Sequence, residues 1–154
     1  MKIRDLSITI LVTGLIAGTI DILSAIFILA GGNAVGTLKY IASGAFGKAA
    51  LEGGNEMVVY GALFHYFIAI FWTAFYLIVY PKLSFLKWNK WINAVVYGLL
   101  VHTIMRFAVL PFSNVAPLTF NWSGFIKNAV ILMYAIGIPA VLAAEWFYKK
   151  RENS

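Results

Sequence analysis

Four side chains in this sequence could do chemistry in an apolar setting: Asp21, His65, His102 and Arg106. The last two lie four residues apart in "YGLLVHTIMRFAVLPF". On a helix that spacing puts them one turn apart on one face. Imidazole changes charge near neutral pH, which suits proton coupling or pH gating. Three kinds of chemistry follow from such a set. Asp21 and Arg106 could close an intramembrane ion pair, with the histidines hydrogen-bonded nearby. The four could line a polar cavity for an ion, a proton or a small solute. His65 and His102, on different segments, could be axial ligands of a haem, or with Asp21 a two-histidine, one-carboxylate metal site. Arg106 beside them would repel a dication, so no cofactor is the first expectation and haem or metal the alternative. The sequence holds no nucleophile–base motif, phosphate loop or HExxH, so an enzyme is not expected.

What must position these residues is a membrane domain. The chain of 154 residues is 62% hydrophobic and 12% charged, with a mean hydropathy of +0.85. Soluble domains are about 45–50% apolar and about 25% charged. There is no cysteine, which excludes disulfides and thiolate metal sites. The net charge of +6 does not point to nucleic acid, because the basic residues sit at segment ends, where membrane topology accounts for them.

Four apolar segments, about residues 6–30, 57–80, 91–112 and 124–148, each approach the ~20 residues a helix needs to cross ~30 Å of hydrocarbon. Lipid leaves such segments only helix, because each backbone group must be satisfied internally. The fold expected is therefore all-α: one transmembrane four-helix bundle over residues 1–154. Eight of the 12 basic residues (Lys2, Arg4, Lys82, Lys87, Lys90, Lys149, Lys150 and Arg151) fall on one side of it. Lys39, Lys48 and Lys127 fall on the other. The positive-inside rule puts both termini in the cytoplasm. The first segment exceeds a usual signal-peptide core and contains Asp21, so it reads as an uncleaved span. Tyr80–Pro81 and Leu110–Pro111 mark helix ends, and Pro139 predicts a kink in the fourth segment. Glu145 and Lys149 are spaced to pair. Lys127 reads as an outer snorkelling residue and Asn128 as facing the bundle. Trp88, Trp91, Trp122, Trp146 and Tyr148 read as interfacial aromatics.

Counting from segment ends at the helical rise, Asp21, His65 and His102 lie about 12–15 Å below the outer end and Arg106 about 8 Å. The four are expected near one another in the outer half of the bilayer. Gly14, Gly18 and Asp21 share one side of the first helix, in a small-xxx-small setting that permits close approach. Gly61, His65, Ala69, Trp72 and Tyr76 form a row on the second, and Ala94, Gly98, His102 and Arg106 a row on the third.

The first outer loop, about residues 31–56, is long for a helix–helix connection. Leu38, Ile41, Ala42, Ala45, Phe46 and Ala49 make a helical stripe, and Gly53–Gly54 a stop. An amphipathic helix on the outer surface is expected, with a re-entrant loop as the alternative. Lys48, Glu52, Gly53, Gly54 and Glu56 are candidates for a lid over the polar site. More plainly, Lys48, Glu52 and Glu56 are a solvated face.

The segments "AGTIDILSA", "YIASGAFGKAALEGG", "LFHYFIA", "VLPFS" and "GIPAVLAA", in this order over residues 14–144, resemble a family of small bacterial four-span membrane proteins. That family is distantly similar to the YagU-type inner-membrane proteins. The resemblance implies a multi-pass protein of the bacterial inner membrane and carries no catalytic residues across. It places Asp21, Lys48, Glu52, Gly53, Gly54 and His65 in family-like stretches. At His102 and Arg106 it implies other residues, often an aromatic and Asn, so a bis-histidine haem is not implied as a family role. The function expected is a small transport, channel or ligand-binding protein, with the bilayer as its setting and an ion, proton or small solute as its partner. The alternatives are a haem or metal protein and a structural partner subunit. A homo-oligomer is compatible with the small-residue faces.

Overall fold

The computed structural model describes residues 3–115 and 120–152, and the side-chain surroundings of 4–115 and 120–150. Lys2, the side chain of Arg151 and residues 153–154 of the basic tail lie outside these. The described chain is helical, without strands. Helix α1 (Ile3–Ser24) runs into a π-helical turn, Ala25–Leu29. Helices α2 (Ala34–Phe46) and α3 (Ala49–Glu52) occupy the first connection. They are followed by α4 (Asn55–Val79), α5 (Lys90–Ile104), α6 (Trp122–Leu132) and α7 (Ile138–Glu152). The four spans are Arg4–Leu29, Asn55–Lys82, Lys90–Phe112 and Trp122–Lys150. Their outward faces carry Phe27 and Phe67, each 69% exposed, and Leu63 at 60%. Exposing such side chains to water costs about 1.5–3 kcal/mol each, and lipid removes that cost. The chain is a multi-pass membrane protein built as a four-helix bundle. Both described ends and the 80–90 connection share one face of the bundle, the terminal face. The first and third connections lie at the far face.

Local chemistry sets the boundaries. Asn89 caps α5, its Oδ1 accepting from the N–H groups of Trp91 and Ile92 at 3.0 and 3.2 Å. Asn121 caps α6 through Ser123 N–H at 2.9 Å, and Asn33 caps α2 through Gly36 N–H at 2.9 Å. Side-chain caps satisfy donors that an apolar end would orphan. Pro111 and Pro139 each follow a π-helical turn, Met105–Val109 and Met133–Gly137. The N–H of Leu110 donates to Met105 O, and that of Ile138 to Met133 O. The wider turn absorbs what proline removes from the hydrogen-bond ladder.

Glycines decide which spans touch. A Cβ on Gly14 would come within 2.8 Å of Ile70 Cα, and one on Gly18 within 3.0 Å of the Ala69 methyl. These contacts seat span 1 on span 2. A Cβ on Gly98 would lie 2.3 Å from Met133 Cα, and one on Gly137 2.1 Å from Ala94 O. Those seat span 3 on span 4. Backbones this close need residues without side chains. At the terminal face spans 2, 3 and 4 meet through Tyr76, Tyr80, Tyr97 and Tyr148. The rings of Tyr76 and Tyr97 are 4.6 Å apart, and those of Tyr80 and Tyr148 5.5 Å. Tyr97 donates its hydroxyl to Trp72 O. The row Gly61, His65, Ala69, Trp72 and Tyr76 is buried throughout, as expected.

The first connection carries the expected helix, α2 (Ala34–Phe46), packed against span 2. Helix α2 sits on span 2 so closely that a Cβ on Gly61 would lie 2.0 Å from Leu38 O. The rings of Phe46 and Tyr60 are 5.2 Å apart. The segment after span 3 holds α2 from the other side. Asn114 N–H donates to Gly44 O at 3.0 Å, and its Nδ2 to Ala45 O at 2.9 Å. The expected stripe therefore ends early: the helix stops at Phe46 and turns at Gly47 (φ +63°). That left-handed conformation favours glycine. Beyond it Ala49 is exposed and Ala50 buried.

Candidate functional site

The four polar residues form two separate pairs. In span 1, the close approach at Gly14 and Gly18 brings Asp21 onto the His65 face of span 2. His65 is buried and donates its Nε2–H to Gly18 O at 2.7 Å. The same nitrogen is 4.0 Å from Asp21 Oδ2. Side-chain exposure is 11% for His65 and 18% for Asp21. Among the described residues Asp21 has no other ion-pair partner and no side-chain hydrogen bond. A second polar contact lies just above: Tyr134 of span 4 donates its hydroxyl to Ser24 Oγ at 2.7 Å. The sequence reading missed Ser24, although it is three residues from Asp21 and so shares its face.

The second pair belongs to the other half of the bundle. His102 is 2% exposed. Its Nδ1 accepts a long 3.5 Å hydrogen bond from Asn128 Nδ2, and the ring packs edge-on to Phe125 at 4.6 Å. Among the described residues its Nε2 has no partner. Asn128 does face the bundle, as expected. Arg106 continues this row half-buried, with its guanidinium carbon 5.8 Å from the centre of the Phe120 ring. It is near enough to α2 to act on Tyr40. Burial pushes the Tyr40 phenol above its ordinary value, and the Arg106 charge draws it partly back.

Three expectations change accordingly. The single cluster of Asp21, His65, His102 and Arg106 is divided, because one set of glycines joins spans 1 and 2 and another joins spans 3 and 4. No hydrogen bond or ion pair among the described residues links the two pairs. Asp21 is not the counter-charge of Arg106: no carboxylate among the described residues lies within 4.0 Å of that guanidinium, and Asp21 takes His65 instead. Nor do His65, His102 and Asp21 converge as a ligand set. Among the described residues no three His, Cys, Asp or Glu side chains are placed to hold a metal ion.

The lid residues also find local roles. Glu56 folds back to accept the Gly54 N–H at 2.7 Å, capping the start of span 2. Lys48 and Glu52 are exposed, at either end of the short α3. Gly53 ends that helix, as the Gly53–Gly54 stop predicted. Tyr40 of α2, which the sequence reading did not single out, lies near enough to Arg106 to feel its charge. Two clefts, of about 260 and 240 Å³, lie away from both pairs. One is at the 80–91 connection; the other is an apolar groove between spans 3 and 4 at Val95, Val130 and Tyr134. Neither is lined by Asp21, His65, His102 or Arg106. The chain matches no protein-family model, no curated protein and no solved structure.

Proposed function

We propose that this is a small transport or ligand-binding protein of a bacterial inner membrane, with both termini cytoplasmic, and that Asp21–His65 is its proton- or cation-exchanging site. The observation that carries this is the Asp21 carboxylate, which sits within a span with one imidazole 4.0 Å away as its counter-group. A carboxylate inside a bilayer is costly, by about 2.5–3.5 kcal/mol on insertion scales. His65 has already committed its Nε2–H to Gly18 O, so the Asp21 oxygens remain open to a proton or a small cation. A carboxylate and an imidazole side by side can hold zero, one or two protons. The charge of the pair therefore changes with proton supply.

The placement rests on the basic residues concentrated at the terminal face and on the resemblance to YagU-type proteins. Reporter fusions at both termini test the orientation. A second reading is a structural partner subunit, in which His65 and Asp21 serve to hold span 2 against span 1 through the bond to Gly18 O and the contact between them. Proteoliposomes separate the readings. With a pH-sensitive dye inside and an imposed potential, vesicles holding the wild-type chain should acidify or alkalinise faster than protein-free ones. Asp21→Asn should bring the rate to the protein-free level while its circular dichroism stays unchanged. Wild-type flux no faster than that of empty vesicles would defeat the transport reading and favour the partner subunit. Elemental mass spectrometry of protein purified without added metal tests the haem or metal alternative.

A further inference from the structure

The second polar pair holds a cation without an anion. Arg106 lies within span 3, Lys90–Phe112, and is half-buried. Its guanidinium meets the Phe120 ring, and no carboxylate among the described residues lies within 4.0 Å of it. No hydrogen bond among the described residues occupies its N–H donors. A charge inside a bilayer is costly and is ordinarily paired. Span 1 does not supply the counter-charge, because Asp21 takes His65.

His102 adds a donor one turn deeper on the same row. Its Nδ1 accepts from Asn128 Nδ2 at 3.5 Å. Neutral His102 therefore carries its proton on Nε2, a nitrogen buried without a partner among the described residues. A buried donor is expensive to leave without an acceptor. From α2, Tyr40 stands close enough for the Arg106 charge to act on its phenol, and its hydroxyl is a further donor. One corner of the bundle, toward the far face, thus gathers a full positive charge and two neutral donors.

We propose that Arg106 and His102 form a binding site for a small monocarboxylate, entered from the far face. The planar guanidinium fork would take both carboxylate oxygens, and the His102 Nε2–H would donate to one of them from the deeper side. One negative charge balances Arg106, whereas a phosphate dianion would bury a second charge. A spherical halide would leave the fork half used. The ring of Phe120 beside the guanidinium and that of Phe125 beside the imidazole suit a short apolar tail. The site is separate from Asp21 and His65 and does not depend on their role.

The test uses the full chain in an uncharged detergent, labelled with nitrogen-15 at histidine and observed by NMR. His65 and His102 are its two histidines, and the spectrum of His102→Phe identifies which signal is lost. Titration with butyrate should move the His102 Nε2–H resonance downfield to saturation and leave that of His65 in place. Butyramide, of the same shape without the charge, should bind at least about ten-fold more weakly. Arg106→Gln should weaken butyrate binding at least about ten-fold, the size of one hydrogen bond to a charged group. Lys127→Gln removes an exposed cation of span 4 near the same face and should change binding less than about two-fold, on the scale of a screened surface charge. If Arg106→Gln does not fold, Arg106→Lys keeps the charge, loses the fork and should weaken binding at least about five-fold. No saturable shift at His102 would overturn the proposal. So would equal responses to butyrate and butyramide, which would leave an apolar site without anion recognition. Equal losses in Arg106→Gln and Lys127→Gln would overturn it in favour of a diffuse basic face. Saturation by dioleoyl phosphatidylglycerol with none by butyrate would overturn the carboxylate assignment in favour of a lipid phosphate.

Discussion

His65 of the second span donates its Nε2–H to the main-chain carbonyl of Gly18 in the first, across 2.7 Å. The carbonyl can only accept, so neutral His65 is the Nε2–H tautomer and a second proton must enter at Nδ1. The bond exists because Gly18 has no side chain to hold the helices apart. It also ties the orientation of the imidazole to the interface that carries Asp21.

The two histidines should therefore respond unequally to substitution. His65→Phe removes a short hydrogen bond and the counter-group of Asp21, and should cost about 1–3 kcal/mol, the penalty for stranding a buried polar partner. His102→Phe gives up only a 3.5 Å contact and removes an Nε2 without a partner among the described residues. Its cost should stay below about 1 kcal/mol, since replacing an unsatisfied polar group by an apolar one of similar shape is nearly neutral. Unfolding in mixed micelles measures both, and a larger loss for His102 would contradict this ranking.

Gly137 and Gly98 should tolerate almost nothing. Gly137→Ala puts a methyl 2.1 Å from Ala94 O, where backbone rather than a flexible side chain must yield. Overpacking of this kind costs about 1–3 kcal/mol or more. Gly124, in the same span, has nothing within 4 Å of its missing Cβ. Gly124→Ala should be neutral or stabilise by up to about 1 kcal/mol through helix entropy. The pair of variants, compared by thermal unfolding in detergent, separates close packing from helix propensity.

Tyr40 offers a spectroscopic view of Arg106. The phenol titrates above its ordinary value through burial, with Arg106 opposing the shift. Removing that charge in Arg106→Gln should move the Tyr40 titration still higher. The difference between wild type and Tyr40→Phe in the absorbance near 295 nm isolates this group, and should do so again in the Arg106→Gln background. Because the folded value lies above the unfolded one, the contribution of Tyr40 to stability is complete below the unfolded value. It is lost as pH rises past it. Stability should thus fall at strongly alkaline pH, less steeply in Tyr40→Phe. An unchanged titration in Arg106→Gln would place Arg106 away from α2.

Glu145 should matter chiefly at the terminal face. It accepts from Lys149 at 2.6 Å as an i, i+4 pair, the spacing visible in the sequence. Such exposed pairs contribute about 0.3–0.5 kcal/mol, so Glu145→Gln should unfold within about 1 kcal/mol of wild type. A loss of several kcal/mol would mean that Glu145 is also needed by the tyrosine layer beneath it.

Much was legible from residue order alone. Four spans, their ends at Pro81 and Pro111, the even topology and the inward rows on spans 2 and 3 follow from hydropathy and the 3.6-residue period. These are local properties, dictated by backbone hydrogen bonding in lipid. Depth was legible for one pair, because it is arithmetic along a helix: Asp21 does meet His65. Azimuth was not. Which helix a polar face meets depends on how four cylinders are arranged, and the rows on spans 1, 2 and 3 were equally compatible with one shared interior. The tertiary structure resolved this through backbone contacts. Gly14 and Gly18 admit span 2, and Gly98 and Gly137 bring span 3 onto span 4. Gly61 admits α2, whose Tyr40 then stands near Arg106. Close approach at glycines thus divided one expected cluster into two pairs, a choice made by three-dimensional packing that no periodicity in the chain encodes.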